Sequence, residues 1–319
     1  MIKHFAKRLC STVGMSETEW LAVRQQGIGG SDISAICGIN PWKSPVECYL
    51  EKTKTKIVPE QNELMHWGHM LEPVVTDEFA RRHPEYKVER LNAILQHHKY
   101  DTHLANIDRM IECDEGSGVL EVKTAGQFAF AKWEGGIPLQ YQAQVQWYLH
   151  VTGLNFAWIA VLVGGQQYFE YKIYRDDAAI DTMVNTADRF WQNYVVPMEM
   201  PAASVAEDLD PIKDLFRTEE AGTVIAIDGV LSDLIGEYEN VKATIKESET
   251  QKDALEARIK QLIGTAEKGD GSGWSLTWKC NKASLKLNTK SLEIDHPEIV
   301  TAYSELSPGA RVLRIKKAA

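Results

Sequence analysis

Apolar positions recur along this chain in two periods, and the change from one to the other marks out its elements. Ser16, three residues before Glu19, forms a capping-box pattern that opens a helix through Trp20 and Leu21 to about Gln25. Ile33, Ile36 and Cys37 carry a second helix, and Pro45 begins a third that reaches about Thr53. Over residues 62–82, Leu64, Trp67, Leu71, Val74, Val75 and Phe79 keep helical spacing. Alternation then takes over at 86–95 and 104–113, two strands joined by a turn holding His97 and His98. Residues 114–118 turn back into a short strand at 119–122. A helix over 138–151, a continuous apolar strand at 156–163, an alternating partner at 168–174 and an amphipathic helix over 178–194 follow.

Alternating strands and helices predict an α/β fold, a mixed central sheet flanked by helices, for a domain over residues 16–198 after a mobile start at 1–15. Residues 199–222, between Pro201 and an acidic stretch, read as a linker. The pattern next becomes a heptad. Leu231, Leu234, Tyr238, Val241, Ile245, Ser248, Lys252, Leu255, Ile259 and Leu262 alternate steps of three and four, predicting one long helix within 223–264 whose seam is polar only at Ser248 and Lys252. Residues 265–319 read as a small basic β region, with strands in 274–287 and at 312–315.

Composition narrows the class. The chain has 319 residues, 44% hydrophobic and 25% charged, enough to bury a full core. It contains no apolar run of ~18 residues that would cross a membrane and no apolar stretch near its start that would serve as a signal peptide, so a cytoplasmic protein is expected. Its 5 cysteines are scattered and include no Cys-x-x-Cys pair, which supports neither a disulfide framework nor a zinc or iron–sulfur cluster. A net charge of −10 argues against binding nucleic acid over the whole surface. It leaves room for a local basic groove, because carboxylates that hold a metal count against the total.

The candidate chemistry gathers around Asp108 and the stretch Leu120-Glu121-Val122-Lys123. Two residues apart on a strand, Glu121 and Lys123 share a face, and antiparallel pairing brings Asp108 to the neighbouring strand. Alternating Glu and Lys on a strand is ordinarily a solvated face. An acid beside a base, with a second acid arriving across the ladder, is also the wiring of a divalent-metal site that activates water. Glu72 lies on or beside the apolar stripe of its helix, where a carboxylate needs a partner. That partner is a metal, a backbone donor or an arginine. His66 and His69 suggest zinc weakly, since oxygen ligands dominate nearby. Gly27-Ile28-Gly29-Gly30-Ser31-Asp32 is a glycine-rich turn into a helix, capped by Ser31 or Asp32 and suited to cradling a phosphate, but it is not a Walker loop.

Taken in order, Arg24, Gly29-Gly30-Ser31-Asp32, Trp67-Gly68-His69-Met70-Leu71-Glu72-Pro73, Asp108, Leu120-Glu121-Val122-Lys123-Thr124 and Gln142-Ala143-Gln144-Val145-Gln146 resemble the YqaJ-like phage recombination nucleases. These are relatives of phage lambda exonuclease in the PD-(D/E)xK superfamily, and the resemblance spans about residues 17–195. It departs at one place, Ile107 standing where the superfamily has proline. The resemblance implies a restriction-endonuclease-like core and a Mg²⁺-dependent 5′→3′ exonuclease, with Mn²⁺ as a substitute, acting on ends of double-stranded DNA. Asp108, Glu121 and the carbonyl of Val122 would bind the metal, with Glu72 nearby and Lys123 as the motif lysine. Arg24 and Ser31 would hold the 5′-phosphate, and Gln144 and Gln142 would support the site. It further implies a phage or prophage protein in a bacterial host, a single-strand annealing protein as partner, and a trimeric ring. Two alternatives stand beside it: another nuclease of the superfamily, of endonuclease or repair type, and a non-catalytic DNA-end-binding module.

Overall fold

The computed structural model describes residues 6–53, 63–306 and 309–317, and the chain divides into two units, Met1–Phe216 and Arg217–Ala319. Residues of the first unit that were expected to be a mobile start form strand β1 (Ala6–Ser11). Of these only Ala6 is buried, so the segment is fixed by its ladder to a later strand and has no apolar pattern to announce it. Helix α1 (Glu17–Arg24) begins with the anticipated capping box, Ser16 Oγ accepting from the Glu19 N–H and the Glu19 carboxylate reaching back to the Ser16 N–H. Helices α2 (Gly30–Ile36), α3 (Pro45–Lys52) and α4 (Glu63–Arg82) follow, Ser44 capping α3. The residues just before α4, where its expected start at Asn62 falls, lie outside those described.

The alternating stretch at 86–113 does not form two long strands. It gives β2 (Lys87–Glu89), β3 (Ala93–His97), β4 (Leu104–Ala105) and β5 (Arg109–Cys113), shared between two sheets. The small sheet has the order β1-β3-β4. Between β4 and β5 the chain crosses to the main sheet, so Asp108 sits immediately before β5 and not inside a strand. His97, expected in a turn, lies in β3 and is buried.

After β6 (Gly116–Ala125) come α5 (Phe130–Glu134), α6 (Leu139–Thr152), β7 (Phe156–Val163), β8 (Gln167–Tyr174) and α7 (Asp177–Phe190), the last running into a π-helical turn at Trp191–Val195. The main sheet has the order β2-β5-β6-β7-β8, and β6 and β7 are parallel because α5 and α6 carry the chain back between them. Its two faces are covered by different helices. Leu120 and Val122 of β6 pack with Val75 and Phe79 of α4. Val119, one position out of phase, joins the larger core with Val145 and Leu149 of α6. Period-two alternation therefore sends Glu121 to the α6 face. All residues of α6 from Ala143 to Thr152 are buried, so the helix shows no polar stripe. His150 on it stacks on His97 at 4.6 Å and bonds His103 at 2.9 Å, and His103 reaches Asp188 at 3.0 Å. Burial pushes the His97 pKa down to about 4 and that of His150 to about 3, which keeps both neutral inside this core at neutral pH.

The stretch expected as a linker is partly folded. Asp208 accepts the N–H groups of Ser204 and Val205, helix α8 (Leu209–Leu215) follows, and Ile212 and Leu215 pack on the main core. In the second unit α9 (Gly229–Ile263) is a single helix of 35 residues capped by Asp228. Strands β9 (Lys268–Gly271) and β10 (Trp274–Thr277) make a hairpin whose two turn residues, Ser272 and Gly273, have φ of 51° and 80°, the handedness a two-residue turn requires. No strand forms at 278–287 or 312–315. Apolar alternation there meets no sheet to pair with, and Asn288 and Pro297 instead start two short helices, α10 (Thr289–Asp295) and α11 (Pro297–Ala302).

Helix α2 lies so close to α6 that a Cβ on Gly30 would sit 2.4 Å from Cε1 of the buried Tyr148. Gly30→Ala is expected to lower stability by about 1–3 kcal/mol through overpacking, measured as a shift in the urea midpoint at unchanged slope.

Candidate active site

The β5–β6 register pairs Arg109 with Leu120, which continues to Asp108 opposite Glu121. The Asp108 carboxylate is fixed there by accepting the Val122 N–H at 2.8 Å. Glu121 is 2% exposed. Its Oε1 accepts from Lys123 Nζ at 2.5 Å and from Gln144 Nε2 at 2.7 Å, and the same amide reaches the Tyr148 hydroxyl at 2.8 Å. Its Oε2 is buried and has no hydrogen-bond donor among the described residues. Burial first, and then the charge of Asp108, raise the Glu121 pKa to about 8, with Lys123 offsetting part of the rise. Burial likewise raises Asp108. Burial opposes the charge on Lys123, but Glu121 and Asp108 outweigh it and hold that pKa above the ordinary lysine value. Two carboxylates opposite one another, one with an undonated oxygen, share a single lysine and lack one positive charge. A hard divalent cation fits that donor set.

Arg24 ends α1 and donates to Ser31 Oγ at 2.5 Å, its guanidinium resting 4.5 Å from the Trp20 ring centre. Asp32 explains why it stays there. Gly29, not Ser31 or Asp32, occupies the cap position of α2, and Asp32 reaches back to the Gly29 N–H at 3.0 Å. Its fully buried carboxylate meets Lys52 at 2.6 Å, Lys43 at 2.9 Å and Arg24 at 3.5 Å. Burial alone would raise its pKa; the three cations overcome that and hold it well below the carboxylate range. Lys43 also pairs with Glu51 at 2.5 Å.

Arg24, Gly29, Gly30 and Ser31 open on the same cleft as Asp108, Glu121, Val122, Lys123 and Gln144, a space of about 1020 Å³. One continuous groove thus has a cationic, N–H-rich end and a dicarboxylate end. Glu72 and His69 also line it. The Glu72 carboxylate is taken by Arg109 at 2.5 Å, and Arg109 in turn donates to the Asp108 carbonyl at 2.7 Å. Of the three partners open to Glu72, the structure shows the arginine. Among the described residues no three His, Cys, Asp or Glu side chains gather as a metal site, which leaves His66 and His69 without a zinc partner. Gln142 does not join Gln144: it is exposed and donates to the Ile137 carbonyl at 2.6 Å. Sequence reasoning missed Arg109, Tyr148, Lys43 and Lys52. Tyr148 had a signal, four residues after Gln144 on one helix. The two lysines had none, because their partner Asp32 is distant in the chain.

A family model described as the YqaJ-like viral recombinase domain matches residues 19–155. The protein YqaJ of Bacillus subtilis (strain 168), itself described as uncharacterized, is 36% identical over 301 residues, 92% of this chain and 92% of that protein. Among solved structures, an alkaline exonuclease, LHK-Exo, from Laribacter hongkongensis aligns with 55% of this chain and 91% of its own at 20% identity and a TM-score of 0.47. A phage related exonuclease from Haemophilus somnus 129PT aligns with 54% of this chain and 96% of its own at 14% identity and a TM-score of 0.40. With identity at that level along nearly the whole of YqaJ, and with the family model falling on α1 through α6, this chain belongs to the YqaJ-like viral recombinase family.

Proposed function

We propose that the chain is a Mg²⁺-dependent 5′→3′ exonuclease that removes mononucleotides from linear double-stranded DNA and leaves a 3′ strand for phage or prophage recombination. The observation that carries this reading is the buried Glu121 carboxylate, its Oε2 without a donor among the described residues, opposite Asp108 and beside Lys123 in the cleft that Arg24 and Ser31 share.

Asp108, Glu121 and the Val122 carbonyl would hold the cation, Mn²⁺ serving as a substitute. Bound there, it lowers the pKa of the attacking water and offsets charge on the phosphate. The chain's own groups do the rest. Gln144 fixes Glu121 through Oε1 and leaves Oε2 without a donor among the described residues. Lys123, kept as an ammonium by Glu121 and Asp108, orients the water and offsets charge on the phosphate, and the water's proton passes to solvent as the new P–O bond forms. The P–O3′ bond breaks, and the 3′-oxygen leaves with a proton from solvent. Arg24, Ser31 and the N–H groups at the start of α2 bind a terminal 5′-phosphate, combining a charged donor with a helix N-terminus. Holding that phosphate one nucleotide from the carboxylates sets the cut at the first phosphodiester and the direction of travel. The exposed 3′ strand is the substrate of a single-strand annealing protein.

The direct test is digestion of linear duplex DNA carrying 5′-phosphate or 5′-hydroxyl ends, with Mg²⁺ or EDTA. Wild type should release mononucleotides only with the cation, and Lys123→Ala should be slower by about 10²–10⁴-fold. No digestion by folded wild type, or equal cutting of circular DNA, would overturn the exonuclease reading. Arg24→Ala should cost roughly 10–100-fold on phosphorylated ends, a charged hydrogen bond's worth of about 1.5–3 kcal/mol, and little on hydroxyl ends. An equal loss on both substrates would remove Arg24 from the end anchor.

The raised Glu121 pKa sets a pH dependence. A carboxyl whose native pKa lies above its unfolded value stabilises the metal-free fold at low pH, and this is lost as pH rises through about 8. Cation binding must displace that proton, so Mg²⁺ affinity should climb from pH 6 to about 8 and then level off. In thermal melts Mg²⁺ should therefore raise the midpoint more at pH 8.5 than at pH 6.5, and Glu121→Gln should abolish the difference. A Mg²⁺ shift independent of pH in wild type would remove Glu121 from the cation site.

A further inference from the structure

Helix α9 runs for 35 residues and buries none of them. Leu234, Tyr238, Val241, Ile245, Leu255, Ile259 and Leu262 are each at least half exposed along one seam. Fully burying a side chain of this size contributes about 1.5–3 kcal/mol, so a seam left open in water forgoes a large stabilisation. Steps of three and four give a period of 3.5, which follows a supercoiled partner helix and drifts off a flat surface. Among the described residues none buries this seam, though Leu231 at its start is half-buried. The helix is otherwise held by short-range pairs, Lys242 with Glu239 at 3.0 Å and Lys260 with Glu256 at 2.5 Å.

The order of residues identifies the partner. The seam is interrupted once, by Ser248 and Lys252, and these lie at the middle of its stretch from Tyr238 to Leu262, while Leu231 and Leu234 run on beyond the part that would pair. We propose that α9 is a self-association helix, two copies of this chain pairing antiparallel about a two-fold axis midway between Ser248 and Lys252. Tyr238 then packs on Leu262 of the second copy, Val241 on Ile259, and Ile245 on Leu255. The polar residues meet only each other, Ser248 against Lys252 of the second copy, where the long lysine stem covers the seam and its ammonium reaches water. Lys242 comes beside Glu256 of the second copy on both flanks, an opposite-charge pair at the seam edge. The one like-charge meeting is Glu249 with its own equivalent, and Lys252 lies within a turn of it on each helix. A parallel pair is worse. It sets Lys252 against Lys252 across an apolar seam, two like charges with no counter-ion.

This inference is independent of the nuclease reading. Its test is multi-angle light scattering of the full-length chain at micromolar concentration beside Ile245→Glu/Leu255→Glu. Both side chains are exposed in the single chain, so the variant keeps its fold, which circular dichroism checks. Wild type should have twice the mass of the variant. Equal masses, or any ratio other than two, overturn the proposal. Orientation is read by cysteine cross-linking in a Cys280→Ser background. Antiparallel pairing cross-links the double variant Ser248→Cys/Lys252→Cys and neither single one, because a disulfide needs Cα atoms within about 7 Å. Cross-linking by Ser248→Cys alone means a parallel pair and overturns the assignment.

Discussion

The structure depends on keeping a carboxylate, Glu121, almost out of water at the interface between a central strand and the helix over it. An ionised group placed there is costly, and the chain meets the cost with geometry. The β5–β6 ladder sets Asp108 opposite, β6 alternation adds Lys123 on the same face, and α6 supplies Gln144 from the other side. Lys123 and Gln144 both satisfy Oε1. Glu121 is thus held through one oxygen while the other, Oε2, is left buried without a donor among the described residues.

Asp32 makes the contrast within the same cleft. It is as deeply buried as Glu121, yet its pKa is pushed down where that of Glu121 is pushed up. The difference is the source of positive charge. Lys43, Lys52 and Arg24 surround Asp32 permanently, so it stays ionised and serves to hold Arg24 and the α2 turn. Glu121 has one lysine to share with Asp108, and the balance must come from outside or from a proton. One buried acid positions Arg24 and the turn into α2, and the other leaves a deficit of positive charge beside Asp108.

How much of this was legible in the chain follows from which contacts are local. Glu121, Lys123 and the strand that carries them were readable because alternation within four residues decides both. Gln144 was readable through its neighbours on an apolar helix, while Gln142 was misread with it, since two residues along a helix point nearly opposite ways. Strand β1 and helix α8 were missed because ladder bonds and packing against distant residues create them. The split of 104–113 between two sheets was invisible for the same reason: a two-residue strand such as β4 has no period of its own. In the second unit alternation without a partner sheet proved a poor guide, and caps at Asn288 and Pro297 decided the outcome.

Glu72 shows how a correct burial argument can end on a different partner. A carboxylate beside an apolar stripe does need a counter-charge, and Arg109 provides it across from α4. The same guanidinium donates to the Asp108 carbonyl, so it ties α4 to the residue that begins β5. Glu72 therefore acts on the site through Arg109 and the Asp108 backbone, and the first-order charge deficit stays with Asp108 and Glu121 alone. Had Glu72 faced them as a third free carboxylate, the metal-free site would hold two surplus negative charges in a buried space, and the strand pair would be harder to keep closed. Pairing it with an arginine confines the deficit to one positive charge, the count left by Asp108, Glu121 and Lys123.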